Sequence, residues 1–423
     1  MKRLIVLVSL ILMVFLCMPA FAGGKQEAAT GEKGVTITVA ADENDLYAWF
    51  QDISNTIYTP QTGVKVVIEF VPEYRTKKYV ILQAGETKYD IYKLDSFEVP
   101  AFVNNGWLVP VDSYMDAKFL DSQLPGLLDI NRKMGGQLWG TSYMNSGEYM
   151  YVNTVMLSKL GMTDPPKTWN EFYDVCKKAK QAGILVHPYA DMWPDHITWE
   201  RMLQSFGAHL FDAKGNATFN TKESVDALNY MKKLYDEDLV TYETGSIDKI
   251  RTIISNGDAM FNVNWDYQTV LLEDPKESKV VGQTKIMMMP GLNGPGASII
   301  MDEGLGISKL GPEKNRKAAA DWLKWIASPE IQKKMAMKFG WFPTAKSVYD
   351  DPEFLSYKPD LQVKMVQKQI SADFGPQMTQ VKYMEFRDIV LEELAANLSG
   401  TQTAEQTLAN MVSRYDKIKV LLK

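Results

Sequence analysis

Three short apolar runs, "VTITVA" (35–40), "VKVVIEF" (64–70) and "YDIYKL" (89–94), decide the fold class of this chain. Each run is rich in β-branched or aromatic residues and has the length of a strand buried in a sheet. The residues between the first two runs, and those from Tyr74 to Leu82, place apolar side chains at helical spacing. Strands and helices that alternate in this way predict a parallel α/β sheet covered by helices.

Polar residues follow two of these runs directly, in "ADEND" (41–45) and "DSF" (95–97). In a sheet of this kind, ligands bind beyond the carboxyl ends of the strands, in the crevice that the helices leave open. We therefore expect the side chains of these two segments to line a ligand-binding crevice.

A second α/β body is predicted to begin near Tyr143. The pairing of Thr168 with Glu171 is typical of a helix start, as is that of Asn220 with Glu223. Further along, the pattern predicts strands within 256–268 and 284–291, two consecutive helices over 315–340 with Ser328 capping the second, and a helical region from about Pro376 with a break at Gly400.

Length and composition describe an ordinary globular protein. A chain of 423 residues with 46% hydrophobic and 23% charged residues is long enough for two lobes. The net charge is -6, and the chain lacks basic runs. This charge balance argues against nucleic acid as a partner.

The amino terminus has the pattern of a secretory signal. Lys2 and Arg3 precede an apolar run, and the small-x-small sequence Ala20-Phe21-Ala22 is typical of a cleavage site. We expect residues 1–22 to be a signal peptide, residues 23–34 to form a flexible tether, and the mature protein to be extracytoplasmic or periplasmic. Cys17 leaves a lipoprotein signal open as the alternative.

Searches for catalytic motifs find none. The chain has no phosphate-binding glycine loop, no GxSxG and no HExxH, so we expect no catalytic residues, no metal and no cofactor. His196 and Glu200 stand four residues apart, but two ligands without a third are weak support for a metal site. Sequence alone does not show whether carboxylates such as Asp302 and Glu303 face others across a cleft, as a glycosidase requires.

Aromatic residues in polar surroundings recur at predicted strand ends and loops. The segments are "GTSYMNSGEYMYVN" (140–153), "DMWPDH" (191–196), "NVNWDY" (262–267) and "FGWFPT" (339–344). A sugar has apolar C–H faces that pack on an aromatic ring and hydroxyls that bond to carboxylate and amide groups. Trp265, between Asn264 and Asp266, offers both kinds of surface and is predicted to stack on a ligand from a partly solvent-facing position.

The order of several blocks resembles the extracellular sugar-binding proteins of ATP-binding-cassette (ABC) importers, the family that includes maltose-binding protein. The resemblance covers essentially the whole mature chain. Its blocks are "NNGWLVPVDSYM" (104–115), "GGQLWGTSYM" (135–144), "YMYVNTVMLSKLGMTDPPKTWNEF" (149–172), "MLQSFGAHLFDAKGNATFNTKESVDALNYMKKLYDEDLV" (202–240), "ISNGDAMFNVNWD" (254–266), "ADWLKWIASPEIQKKMA" (320–336), and the C-terminal "GPQMTQVKYMEFRDIV" (375–390) with "LSGTQTAEQTLANM" (398–411).

This resemblance implies a two-lobe periplasmic-binding-protein fold of type II-like form, with discontinuous lobes joined by a hinge. The N-lobe would comprise residues 35–142 and 287–330, and the C-lobe residues 143–286 and 331–423. The implied function is capture of a carbohydrate ligand, without catalysis, by a monomer that delivers it to the membrane permease. The implied cleft residues are Asp42, Glu43, Asp95, Tyr143, Asn145, Trp193, Trp265, Asp302, Glu303 and Trp341.

Two alternatives remain at this point. The same fold can bind a peptide, a polyamine or an anion; the acidic strand ends disfavour an anion, for which arginine or helix N-termini are expected. The other alternative is a secreted carbohydrate-active enzyme, which needs a positioned acid and base.

Overall fold

A computed structural model describes residues 34–131, 135–212, 215–243, 246–357, 372–373 and 383–419. The predicted signal peptide with Cys17, the tether up to residue 33, and the start of the C-terminal region at Pro376 lie outside these residues. None of the helices in the described ranges combines the length and the apolar character needed to cross a membrane.

One mixed sheet runs through the molecule. Its strands are β1 (Thr36–Ala41), β2 (Lys65–Phe70), β3 (Ile91–Asp95), β4 (Thr141–Asn153), β5 (Tyr189–Met192), β6 (Val240–Glu243), β7 (Phe261–Trp265), β8 (Thr284–Met287), β9 (Ile299–Ile307) and β10 (Ala372–Asp373). Their order is β2-β1-β3-β9-β4-β7-β5-β6, with β10 beside β9 and β8 beside β4.

Helices surround this sheet. They are α1 (Asp45–Ile53), α2 (Thr59–Thr62), α3 (Tyr74–Gln83), α4 (Val99–Asn104), α5 (Ala117–Ser122), α6 (Pro125–Asn131), α7 (Thr154–Lys159), α8 (Trp169–Gln181), α9 (His196–Ser205), α10 (Lys222–Asp236), α11 (Ile247–Asn256), α12 (Gln268–Leu272), α13 (Arg316–Ile326), α14 (Pro329–Phe339), α15 (Pro352–Tyr357), α16 (Tyr383–Leu398) and α17 (Ala404–Ile418). A π-helical turn, Ser54–Tyr58, joins α1 to α2.

The three runs that decided the fold class form β1, β2 and β3, and both pairings of β1 are parallel, as predicted. The sheet as a whole is mixed rather than parallel, because the later strand β9 runs antiparallel to both β3 and β4. The predicted α/β class is therefore confirmed, with a mixed rather than a wholly parallel sheet.

Strand β4 changes partners along its length. Residues Thr141 to Gly147 pair with β9, whereas Glu148 to Val152 pair with β7. Residues 150–153 also pair with β8 on the other edge. Since β4 takes part in both halves of the sheet, it is a crossing strand between them.

Each half has its own hydrophobic core. The N-side core packs α1, α13 and α14 against β1, β2 and β9, through buried side chains such as Phe50, Trp322 and Met335. The C-side core packs α8, α9, α10, α16 and α17 against β5 and β7. Helices cover both faces of β7, so its mixed face is buried too: Asn262 donates to the Ala190 carbonyl (3.0 Å).

The observed ends of the helices and strands agree in part with those predicted from the sequence. Thr168 and Glu171 form the predicted reciprocal cap of α8. Helix α10 starts from Thr221 rather than Asn220, because Thr221 has the extended backbone of a cap and accepts from the Ser224 amide. The strand predicted within 256–268 is confined to β7, since α11 extends to Asn256.

Gly340, which ends α14 with φ 83°, provides a test of the packing near the crossing strands. A Cβ there would lie 2.9 Å from Val270 Cγ2 and 3.2 Å from Tyr267 Cα, whereas at Gly207 (φ 90°) it would meet nothing within 4 Å. Both Gly340→Ala and Gly207→Ala incur about 1–2 kcal/mol for the left-handed backbone. We expect Gly340→Ala to lose a further ~1–3 kcal/mol of unfolding free energy in urea titrations. Equal losses at the two sites would contradict this packing.

Candidate functional site

Three of the predicted acidic residues converge on a lysine that sequence analysis did not single out. Lys93 Nζ lies 2.7 Å from Asp95 Oδ1, 3.3 Å from Glu303 Oε2 and 3.9 Å from Asp42 Oδ1. These residues come from the carboxyl ends of β1 and β3 and from the crossing strand β9. We refer to Asp42, Lys93, Asp95 and Glu303 as the strand-end cluster.

The buried charges of the strand-end cluster determine one another's ionisation. Burial alone would raise the pKa of Asp95, but Lys93, Lys78 and Arg75 outweigh it and hold that pKa at about 2. Burial would lower the pKa of Lys93, and the carboxylates led by Asp95 reverse this and raise it well above its usual value. The pKa of Glu303 is raised by burial, against the opposing effect of Lys93. Lys93 is therefore a protonated ammonium at neutral pH.

A second ion pair holds the turn that presents Asp95. Lys78 is buried and pairs with Glu98, whose carboxylate also accepts from the Asp95 backbone N–H (3.0 Å). The Tyr79 hydroxyl donates to the same carboxylate at 2.9 Å. The position of Asp95 therefore depends on α3 as well as on its own strand.

Tyr143, on β4, closes one side of the strand-end cluster. Its hydroxyl donates to Glu303, and its ring packs edge-on against Tyr47 and Phe50, each with centroids 5.7 Å away. Because burial and the neighbouring Glu303 both disfavour a phenolate, the pKa of Tyr143 is raised well above its usual value. Tyr143 therefore acts as a hydrogen-bond donor here.

Two further predicted residues lie opposite each other on the crossing strands. Asn145 of β4 pairs with Asp302 of β9, and Ser142 donates to the Asp302 carboxylate. The backbone N–H of Asn145 donates to the Phe342 carbonyl at 3.1 Å. A chain segment after α14 thus reaches the same place.

Asp266 anchors that segment. Its carboxylate accepts from Ser146 Oγ at 2.9 Å and from the Phe342 backbone N–H at 3.1 Å. The neighbouring Trp341 packs against both the N-side and the C-side core, and its ring centroid lies 5.0 Å from that of Tyr267. Trp341 therefore lies where the two halves meet.

Trp265 is more buried than the sequence predicted. It pairs with Glu148 across β4 and β7, packs in the C-side core and is 6% exposed. The expected partly solvent-facing ring is not observed, because helices cover both faces of β7. Trp193, which follows β5, is also fully buried in the C-side core.

The C side has a buried charge cluster of its own, which the sequence did not reveal. Arg201 on α9 pairs with both Glu148 and Asp191, and the Tyr189 hydroxyl also donates to Asp191. Burial raises the pKa of Glu148 to about 7, with Arg201 opposing the rise. Since Glu148 stands opposite Trp265, this cluster adjoins one of the predicted ligand-binding residues.

The predicted residues thus fall into three groups. Asp42, Asp95, Tyr143 and Glu303 meet at Lys93; Asn145, Asp302 and Trp341 lie at the crossing; Trp193 and Trp265 lie in the C-side core. Glu43 is exposed beside Asp42. Sequence analysis did not single out the two cations, Lys93 and Arg201. The signal for Lys93 was a lysine inside the apolar run "YDIYKL", and for Arg201 an arginine in the segment "HITWERMLQS", which forms a largely buried helix.

No group of three or more His, Cys, Asp or Glu side chains within the described ranges could hold a metal ion. His196 Nδ1 instead lies 3.4 Å from the Asp195 carboxylate at the start of α9.

Residues 40–333 match the family model described as "Bacterial extracellular solute-binding protein". This chain belongs to that family. Among curated relatives it is similar to a probable ABC transporter-binding protein of Deinococcus radiodurans, at 24% identity over 78% of this chain and 81% of the relative. It is also similar to the sn-glycerol-3-phosphate-binding periplasmic protein of Brucella suis, at 24% identity over 92% of this chain and 96% of the relative.

Solved structures share the fold of this solute-binding family member. Maltose-bound MalE3 of T. maritima superposes with a TM-score of 0.80 at 24% identity, covering 90% of this chain and 99% of that one. A solute-binding protein of Agrobacterium radiobacter in complex with ribitol gives 0.77 at 21% identity, covering 92% and 99%. Both are binding proteins of two-lobed form, which agrees with the family match.

Acid titration tests the strand-end cluster. The folded pKa of Asp95, about 2, lies below the ordinary value of about 4. The ionised form therefore stabilises the fold above about pH 4, and this contribution, about 2 kcal/mol, is lost as the pH falls from about 4 through 2. We expect the gap in unfolding free energy between the wild type and Asp95→Asn to shrink over that range in urea titrations. A constant gap for Asp95→Asn would contradict the assignment.

Proposed function

We propose that this protein captures a sugar or oligosaccharide in a cleft between its two lobes and delivers it to the membrane permease of an ABC importer. The observation that carries the proposal is the meeting of carboxylates, a tyrosine and Trp341 at the strand ends and crossing strands between the two halves. This edge of an α/β sheet is where ligands bind. The maltose and ribitol complexes of similar fold support a carbohydrate ligand.

The site chemistry suits a sugar. The carboxylates of Asp42 and Glu303 accept hydrogen bonds from hydroxyls, and side-chain amides such as Asn145 both donate and accept. Trp341, where the two halves meet, offers a flat apolar face for the C–H surface of the ring, and Trp265 stays in the proposal as a second aromatic contact. The ten predicted cleft residues, from Asp42 to Trp341, remain the proposed binding set, with Lys93 added as the group that orders the carboxylates.

The proposed lobes are residues 35–142 with 287–330 and residues 143–286 with 331–423. Packing favours shifting two of these boundaries. Met287 and Met289 belong to the C-side core, whereas Ile331 and Met335 of α14 belong to the N-side core. Ile299 also belongs to the C-side core, whereas Leu305 belongs to the N-side core. The second N-lobe segment is therefore better drawn from about Leu305 to Gly340, with β4, β9 and the segment after α14 as the hinge crossings.

Binding without catalysis, by an exported monomer, completes the proposal. The family model and the similar proteins describe binding proteins, which supports a receptor over a hydrolase. Export through residues 1–22, with cleavage after Ala22 rather than lipidation at Cys17, fits an extracellular family. Incubation with oligosaccharides separates the two functions: stoichiometric uptake marks a receptor, and multiple turnover marks an enzyme.

Closure of the lobes provides the direct test. A thermal-shift screen against mono- and oligosaccharides identifies a ligand, since a solute at about 100-fold its Kd adds ~2.7 kcal/mol of stability. We expect that ligand to lower the radius of gyration in solution X-ray scattering as the lobes close. An unchanged radius of gyration at saturation, in a protein already shown to bind, would contradict a hinged receptor.

Trp265 tests the aromatic part of the site. Because the ring is buried in the C-side core, Trp265→Ala should lower the unfolding free energy of the unliganded protein by ~3–5 kcal/mol. Trp265→Phe keeps an aromatic face, so we expect a smaller stability loss and a weaker affinity for the identified sugar, by ~0.5–1.5 kcal/mol.

The matched control is Trp325→Phe. The ring of Trp325 packs on Tyr58 on the N side. It should leave sugar affinity unchanged in isothermal titration calorimetry. Equal affinities for Trp265→Phe and the wild type would make Trp265 a core residue alone.

A further inference from the structure

The strand-end cluster contains more carboxylates than cations, and two of the carboxylates are its accessible part. Three carboxylates, Asp42, Asp95 and Glu303, surround the single ammonium of Lys93. The side chains of Asp42 and Glu303 are 41% and 16% exposed, whereas that of Lys93 is 3% exposed. A solute that reaches the strand ends therefore meets negative groups first, with the ammonium beneath them.

Nearby cations do not remove this excess. Lys78 is engaged by Glu98, so these two charges cancel each other. Arg75 is exposed and lowers the pKa of Asp95 from a distance, but the exposed Glu43 beside Asp42 offsets its charge. The strand ends of the N side therefore keep a net negative charge at neutral pH.

Hydrogen-bonding capacity points the same way. Asp42 Oδ2 accepts from the Asn44 amide at 3.3 Å, while the buried Oδ1 has no hydrogen-bond partner among the described residues. Lys93 Nζ, at 3.9 Å, is too far from Oδ1 for a hydrogen bond. A carboxylate oxygen only accepts, so its missing partner must be a donor.

The C side also has one buried cation with acidic partners, and it adds donors. Arg201 pairs with Glu148 and Asp191, two acidic partners where Lys93 has three. The fully buried Arg201 Nε and the ring N–H of Trp193, just past the carboxyl end of β5, have no hydrogen-bond partner among the described residues. These two donors suit hydroxyl oxygens, which both accept and donate.

We propose that the cleft selects a polyhydroxylated solute that carries a protonated amine, such as an amino sugar, over neutral and phosphorylated analogues. An ammonium supplies three donors and a positive charge to Asp42 and Glu303, whereas a phosphate supplies only acceptors and a charge of the wrong sign. The inference rests on the proposed carbohydrate-binding function and deepens it.

Three matched series test the selection by isothermal titration calorimetry at about pH 6. They are glucose, glucosamine and glucose 6-phosphate; galactose, galactosamine and galactose 6-phosphate; and glycerol, 2-amino-1,3-propanediol and sn-glycerol 3-phosphate. In a series that binds, we expect the amine to bind about tenfold or more tighter than its neutral parent, because its hydrogen bonds are charge-assisted. The phosphorylated member should bind more weakly than the parent, and added salt should weaken the amine more than the parent.

Glu303→Gln tests the residue responsible. The amide keeps the size of the side chain and can still accept from Tyr143 and Lys93, but the negative charge is gone. We expect the amine-to-parent ratio to fall several-fold in this variant, because any change in hydroxyl binding affects both members of a series and cancels in the ratio. The control is Glu73→Gln, the same substitution at an exposed helix start on the same side, which should leave the ratio unchanged.

The outcomes separate the two proposals. A series in which the neutral or the phosphorylated member binds best overturns the charge selection and leaves the carbohydrate receptor standing. An unchanged ratio in Glu303→Gln also overturns the selection at this cluster. Failure of every probe to bind counts against the carbohydrate assignment, and the selection falls with it.

Discussion

The pairing of β4 with β9 is the constraint on which the rest of the structure depends. Both strands lie between the halves of the sheet, and β4 leaves β9 for β7 between Gly147 and Glu148. This register puts Asn145 opposite Asp302, and the register of β9 with its other neighbour, β3, puts Glu303 opposite Asp95. A one-residue slip would turn each of these side chains to the other face of the sheet. The registers of two antiparallel pairs that share β9 therefore position residues from three distant parts of the chain.

Two buried cations organise the polar side chains that this register brings together. An isolated buried ammonium or guanidinium is strongly unfavourable, so Lys93 and Arg201 persist because carboxylates surround them. The carboxylates are in turn held in fixed orientations, and Glu98 with Lys78 supports Asp95 from behind. Protein side chains held by such supporting contacts are pre-organised for binding, which reduces the entropy lost when a solute binds. In the proposed receptor, the cost of burying charge is thus linked to recognition at the strand ends.

How far the site could be predicted depends on whether a residue's role is local. Asp42 and Asp95 follow strands of a parallel sheet, and this local fact was enough to expect them at one edge. Lys93 looked like an ordinary strand residue, because its partners come from β1, β3 and β9. Trp265 was read from its polar neighbours as partly solvent-facing, yet helices on both faces of β7 bury it. The cap at Thr221 instead of Asn220 shows the same limit on a small scale, since backbone geometry chose between adjacent residues.

By itself, the sequence determined the fold class and most element positions, because period, capping and turn chemistry are written in neighbouring residues. The order of its sequence blocks indicated the family. It also supplied the acidic and aromatic side chains of the proposed cleft. Only the tertiary structure decided which of them meet: the gathering of carboxylates on Lys93, the Arg201 cluster on the C side and the place of Trp341 between the two cores. These contacts join residues more than a hundred positions apart in several cases, such as Tyr143 with Glu303. No local pattern encodes such a distance, since it follows from strand register and helix packing across the whole chain.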